Sequence, residues 1–183
     1  MKILIVIASV RNGRSGAKVA DWFNDQVTKD GRFESEVVDL IDVNLPYELG
    51  QTLPSQIQNS EYEFEETRAW AKQVSDADAV VFVSPEYNHG YSASLKNAID
   101  HLFAEWNNKP VGFVNYGSTG APYSFVAISM VAQWVKMAVV QPRVAIPEIW
   151  AAFADDGTLA HADYHEFEAQ RMLGALAEKV QSD

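Results

Sequence analysis

Ala79–Val83 reads AVVFV, five apolar residues without alternation, and Ser84-Pro85 follows at once. A run so short and so uniformly apolar suits a strand buried on both faces. Pro85 fixes its own φ and has no N–H for a sheet ladder, so the chain leaves the sheet there. Beyond a polar loop of Glu86, Tyr87, Asn88, His89 and Gly90, the residues Leu95, Ile99, Leu102 and Phe103 recur at helical spacing. The order is strand, loop, helix. In open parallel α/β sheets ligands bind at the carboxyl ends of strands, which makes the loop a candidate site by position alone.

The same unit recurs along the chain. Lys2–Ala8 (KILIVIA) is a second such strand, followed by SVRNGRSG and a helical stripe of Val19, Ala20, Phe23 and Val27. Glu34–Leu40 alternates more and reads as a shorter strand toward a sheet edge. Ile41–Ser60 carries Pro46, Gly50 and Pro54 with little periodicity and reads as a long loop. Glu61–Ala77 reads as a helix, acidic in its first turn, with Phe64, Ala71 and Val74 facing inward. Pro110–Tyr116 is a fourth strand ending in GSTGAPYS. Phe125–Ala138 reads as a helix with few charges, including Trp134 and Met137, and is either central or covered by another subunit. Val139–Ile146, interrupted by Pro142, is a fifth strand near an edge. Pro147–His161 is irregular, and Tyr164–Val180 closes the chain as an amphipathic helix using Phe167, Leu173, Leu176 and Val180. Five strands alternating with five helices imply one α/β domain over residues 1–183, a parallel sheet covered on both faces.

Charge and composition limit the partners. Fourteen Lys and Arg against 25 Asp and Glu give a formal net charge of −11, which repels nucleic acid and anionic membrane. Arg11, Arg14 and Lys18 are a small basic cluster on this acidic chain, too few for a duplex and enough for one phosphate. With no cysteine, disulfides and thiolate ligands are excluded, and a reducing cytoplasm is the simplest home. Met1–Val10 is too short to span a bilayer and lacks a secretory cleavage site, in keeping with its reading as a strand.

Three polar loops, after the first, third and fourth strands, converge if the strand order is 2-1-3-4-5, which sets the first and third strands side by side. The loop with Ser9, Arg11, Arg14, Ser15 and Gly16 opens a helix, where unpaired N–H groups and the helix dipole attract anions. It is neither a Walker loop nor a G-x-G-x-x-G dinucleotide loop. The third-strand loop offers Tyr87 as an aromatic face, and the fourth offers Tyr116, Gly117, Ser118 and Gly120. A ligand with a phosphate at one end and a flat hydrogen-bonding ring at the other fits them. Flavin mononucleotide (FMN) is such a ligand.

The residues Ser9-Val10-Arg11-Asn12-Gly13-Arg14, the VADW of Val19–Trp22, the PEYNHGYS of Pro85–Ser92 and the LKNAID of Leu95–Asp100 together resemble the NAD(P)H-dependent FMN reductase family, from Met1 to about Ile146. That family is flavodoxin-like and includes quinone, azo-dye and chromate reductases. The resemblance implies a three-layer flavodoxin-like sandwich with a five-stranded parallel sheet in the order 2-1-3-4-5. It also implies FMN as cofactor, NADPH or NADH as co-substrate, a small soluble electron acceptor, and a homodimer or homotetramer. On it, Ser9, Arg11 and the loop to Gly16 hold the phosphate. Pro85, Glu86, Tyr87 and Asn88 flank the ring and ribityl chain, and Tyr116 to Gly120 close the other edge. Ala8 stands where the family's common form has glycine, and the loop is one residue longer than S-x-R-x-x-S. The phosphate contact is therefore open between Ser15 and the backbone N–H groups near Gly16. Because the flavin carries the chemistry, no side chain is assigned a catalytic role.

Other readings stand beside this one. A flavodoxin-like electron carrier without nicotinamide turnover suits the acidic surface, and fold alone leaves room for a binding protein without turnover. His161 and His165, four apart, lack a third ligand, so no metal site is expected. His101 reads as an interface or surface residue, and Glu86 has no partner that would make it a hydrolase base.

Overall fold

The computed structural model describes residues 1–182. Its elements are β1 (Lys2–Ile7), α1 (Gly16–Asp30), β2 (Glu34–Asp39), α2 (Leu40–Val43), α3 (Glu65–Asp76), β3 (Ala79–Pro85), α4 (Ala93–Asp100), β4 (Pro110–Tyr116), α5 (Pro122–Trp134), β5 (Ala138–Val139), β6 (Val144–Ile146) and α6 (Ala162–Ser182). The sheet runs β2-β1-β3-β4-β5, with β6 also on β4, and all these pairings are parallel. This is the expected flavodoxin-like order.

Alternation along the strands divides the core into two layers. Ile3, Ile5 and Ile7 of β1 face α1 and α6, packing with Phe23, Leu173 and Leu176. Leu4 and Val6 point the other way, to Trp70, Leu95, Ile99 and Trp106. Two indoles do double duty there. Trp70 Nε1 donates to the Ala98 carbonyl (2.8 Å) and Trp106 Nε1 to that of Ile99 (3.1 Å), which also accepts from Leu102 N (3.2 Å), so both indoles bind carbonyls of the last turn of α4 inside the core.

The structure corrects the sequence reading in five places. The helix expected over 61–77 begins only at Glu65, and Phe64, expected to face inward from it, is its half-buried N-cap residue. The predicted fifth strand is two, β5 and β6, which makes a six-stranded sheet: β5 meets Val111 through Val139 and β6 meets Val114 through Val144, so three steps along β4 span five along its partner. Pro142 sits in that bulge, where no ladder N–H is required. The predicted loop 41–60 contains α2, capped by the Asp39 side chain accepting from Ile41 N (3.1 Å), and a 3-10 turn at Pro54–Gln56. Helix α5 begins at Pro122 and ends at Trp134, earlier than expected at both ends, because Pro122 takes the first-turn position where a missing N–H costs nothing. Phe167 of α6 is 60% exposed, since the buried stripe runs His165, Ala169, Met172, Leu176 and sets Phe167 on the far face, under the Arg171 guanidinium (5.6 Å).

Among the described residues no helix is long and apolar enough to cross a membrane.

Candidate functional site

The carboxyl ends of β1, β3 and β4 meet at a cavity of about 320 Å³. Its wall is formed by Arg11, Arg14 and Ser15 from the first loop, Pro85, Glu86 and Tyr87 from the second, Tyr116, Gly117 and Ser118 from the third, and Ile149. The three predicted loops thus come together. Ser9, Gly16, Asn88 and Gly120 lie off the wall, each with an identifiable task.

Ser9 and Gly16 form the floor under the first loop. Ser9 is fully buried and Tyr116 nearly so, and their hydroxyls lie together with no hydrogen-bond partner in the protein beyond each other. A Cβ on Gly16 would overlap Ser9 Oγ and lie 2.9 Å from Tyr116 Oη, so glycine is what allows α1 to start this close to both. Burial pushes the Tyr116 phenol well up, which keeps it a neutral O–H donor. Ser15 is the N-cap residue of α1, yet its side chain makes no capping bond, and no acidic residue occupies the first turn. The hydroxyl and the helix N-terminus are both open toward the cavity side of the loop.

The first and second loops are stitched together. Ser92 Oγ accepts from Leu95 N (3.3 Å) as the cap of α4 and donates to the Ala8 carbonyl (2.6 Å), which also accepts from Ser94 Oγ (2.6 Å). Asn88 and His89 both have positive φ (49° and 61°), and Tyr87 and Gly90 exchange two backbone hydrogen bonds (2.8 and 2.9 Å). That is a two-residue hairpin turn of the primed type. Asn88 serves the turn that presents Tyr87. His89 stacks on Tyr123 at the start of α5 (4.3 Å between centroids).

Glu86 acts mainly on structure. Its Oε2 accepts from Tyr123 N (2.9 Å) and Ser124 N (3.0 Å), capping α5 from another loop, where such a carboxylate contributes about 1 kcal/mol. Gly120 (φ 74°) turns the third loop, and its carbonyl accepts from Arg143 Nη1 (2.7 Å). The Gly117 N–H is spent on the Ile146 carbonyl (3.2 Å), so it is not a free donor to a ligand.

Sequence reasoning missed three residues. Ile149 belongs to a segment without pattern and is placed by its N–H on the Gly117 carbonyl (3.3 Å). Asp39 grips Arg14. His101, expected at an interface or surface, is buried within the chain: Thr67 Oγ1 is 2.9 Å from its Nδ1, and its Nε2 and Asn97 Nδ2 meet the Pro46 carbonyl at 2.8 and 3.0 Å. The LKNAID helix thereby ties down the long loop. His165 is buried against Trp22, ring edge to face at 6.4 Å, and among the described residues no group of three His, Cys, Asp or Glu is arranged to hold a metal.

A family described as NADPH-dependent FMN reductase matches residues 1–151. The chain belongs to that family. Family relatives include an NAD(P)H-dependent FMN reductase of Schizosaccharomyces pombe, 38% identical over 148 residues that cover 80% of this chain and 74% of the relative. A 2-hydroxy-1,4-benzoquinone reductase of a Burkholderia species is 30% identical over 130 residues, covering 71% of this chain and 61% of that one. In fold, the chain superposes on FerB, a flavoenzyme NAD(P)H:(acceptor) oxidoreductase from Paracoccus denitrificans, with a TM-score of 0.78 at 21% identity over 99% of this chain and 97% of the other.

Proposed function

We propose that the protein is a flavin-dependent NAD(P)H oxidoreductase. It binds FMN in the 320 Å³ cavity and delivers electrons to a small soluble acceptor such as a quinone. One observation carries the reading: a phosphate-sized anion site and an aromatic, hydrogen-bonding wall share one cavity. The anion end has Arg11, the uncommitted Ser15 hydroxyl and the open N-terminus of the 15-residue helix α1. The two buried hydroxyls of Ser9 and Tyr116, which have only each other as partners in the protein, keep donor and acceptor capacity for a ligand oxygen at that floor. The ring end is Pro85 to Tyr87 on one side and Tyr116 to Ser118 on the other.

When bound, flavin supplies the hydride and electron chemistry itself, so the protein needs neither nucleophile nor general base. Its residues bind and orient. Arg11 and the α1 N–H groups neutralise the phosphate, Tyr87 sets the ring plane, and the Tyr116 hydroxyl donates without ionising. The absence of cysteine agrees with a cytoplasmic setting.

Purified protein is expected to take up FMN at micromolar concentration and then to oxidise NADPH or NADH with menadione as acceptor. Uptake without nicotinamide oxidation would favour an electron carrier. No uptake would end the flavin reading.

The surface of α5 supports an assembly of two copies. Tyr123, Val126, Met130 and Trp134 recur at helical spacing and all stand exposed, Trp134 at 78%, while Ser124, Ile128 and Ala132 bury the opposite side. An apolar stripe of this kind beside a cavity favours cover by a second copy, giving a homodimer. Tyr123 N donates to Glu86 of the cavity wall (2.9 Å), which sets the stripe beside the cavity. Trp134→Glu is expected to convert a dimer to monomers in sedimentation at micromolar concentration; an unchanged sedimentation coefficient would refute this interface.

A further inference from the structure

Asp39 ends β2 and lies opposite Ile7 in the parallel ladder, so it stands beside the loop that leaves β1. Its carboxylate takes both arms of Arg14. Nη1 donates to Oδ1 (2.8 Å) and Nη2 to Oδ2, and Nη1 also donates to the Ser9 carbonyl. One guanidinium therefore joins the first residue of the loop, the last turn before α1 and the neighbouring strand. The two side chains are only 20% and 15% exposed, so solvent screens them weakly. Oδ1 also accepts from Ile41 N at 3.1 Å, which fixes the carboxylate at the head of α2. The Arg14 Nε–H and the second Nη2–H stay uncommitted while the side chain lines the cavity. Arg11 differs. It is exposed, and its side chain makes one bond, to the Asn12 carbonyl at 3.2 Å.

We propose that Asp39 is a positioning residue for the anion-binding loop. Through Arg14 it holds Ser9 to Ser15 in the shape that receives a phosphate, and it neutralises Arg14 so that the charge of the ligand is met by Arg11 and the α1 N-terminus. A bare carboxylate this close to a phosphate would repel it; a carboxylate clamped on both oxygens by a guanidinium does not. The geometry also explains an arginine in the cavity wall that already has three hydrogen bonds: its work is on the loop. The loop is a surface segment with glycine at 13 (φ 67°), and without a clamp it would have to be ordered by the ligand at a cost in affinity.

The proposal rests on the flavin reading above, and FMN and riboflavin separate the two, since riboflavin has the ring and lacks the phosphate. Affinities are measured by quenching of flavin fluorescence for wild type, Asp39→Asn, Asp39→Ala, Arg14→Met and the Asp39→Asn/Arg14→Met pair. Asparagine keeps an acceptor for Ile41 N–H, so α2 stays capped and circular dichroism is unchanged. Each single variant is expected to lose about tenfold in FMN affinity, the scale of one charge-assisted hydrogen bond, with riboflavin changed less than about twofold. The double variant is expected to be no worse than either single, because the two residues act as one unit. Asp39→Asn binding FMN as tightly as wild type or tighter, losses that add in the double variant, or equal losses for both flavins would overturn the proposal while leaving the flavin site standing. Wild type that binds neither flavin would overturn both.

Discussion

Arg11→Ala is expected to weaken FMN binding about ten- to a hundredfold, the loss of one or two charge-assisted hydrogen bonds to a phosphate, while riboflavin binding stays within about twofold. The contrast follows from what Arg11 lacks. It is exposed on the cavity wall and has no carboxylate partner among the described residues, whereas Arg14 is held by Asp39. The charge of Arg11 is therefore the one in the first loop available to a ligand, and removing it leaves the fold intact. A phosphomonoester gains its second charge near pH 6, while arginine stays protonated throughout, so the FMN-over-riboflavin advantage should grow as pH rises from about 5 to 7. In Arg11→Ala this pH dependence should flatten. Equal losses for FMN and riboflavin would show that the loop does not hold phosphate.

That prediction is already legible in the sequence, and the reason separates what a sequence reveals from what it hides. β1, β3 and β4 are buried on both faces, and their uninterrupted apolar runs announce them. Once their parallel order is inferred, the loops at their carboxyl ends must share one edge of the sheet, so the composition of each loop becomes a statement about one site. Pairings between distant residues leave no such trace. Asp39 meets Arg14 only because Ile7 and Asp39 share a rung of the β1–β2 ladder, and the partners stand 25 residues apart in sequence. His101 looks exposed from its own helix, which gives no sign of the loop that closes over it at Pro46. Asn88 reads as a ring contact, although asparagine before His89-Gly90 also fits a turn needing positive φ, and the structure uses it there. Phe167 misleads for the opposite reason: an aromatic at roughly helical spacing is persuasive, but the stripe through His165 and Ala169 has a different phase. Periodicity locates elements, and it does not fix which of two neighbouring residues turns inward.

The harshest single change expected in the site is Gly16→Ala, and its sign runs against helix propensity. Gly16 opens α1 with ordinary helical backbone, where alanine is favoured over glycine by about 1 kcal/mol in a helix interior and by less at a terminus. Sterics oppose this. The added Cβ would overlap Ser9 Oγ and sit 2.9 Å from Tyr116 Oη and 3.0 Å from Ile7 Cγ2, all in a floor closed to solvent. Ser9 must leave its rotamer or α1 must shift outward, and overpacking of this kind costs roughly 1–3 kcal/mol. The steric term exceeds the propensity gain, so net destabilisation of about 1–2 kcal/mol and a fall of several degrees in Tm are expected. FMN affinity should fall further than stability alone accounts for, because the displaced atoms are the Ser9 hydroxyl and the first N–H groups of α1. Gly13→Ala is the comparison. Gly13 has φ 67°, and a methyl added there would meet nothing within 4 Å, so alanine costs only left-handed backbone strain, about 1–2 kcal/mol, and leaves the floor unchanged. Gly16→Ala should therefore lose FMN affinity at least tenfold more than Gly13→Ala at similar stability; matching affinities would mean that the buried hydroxyls under α1 take no part in holding the ligand.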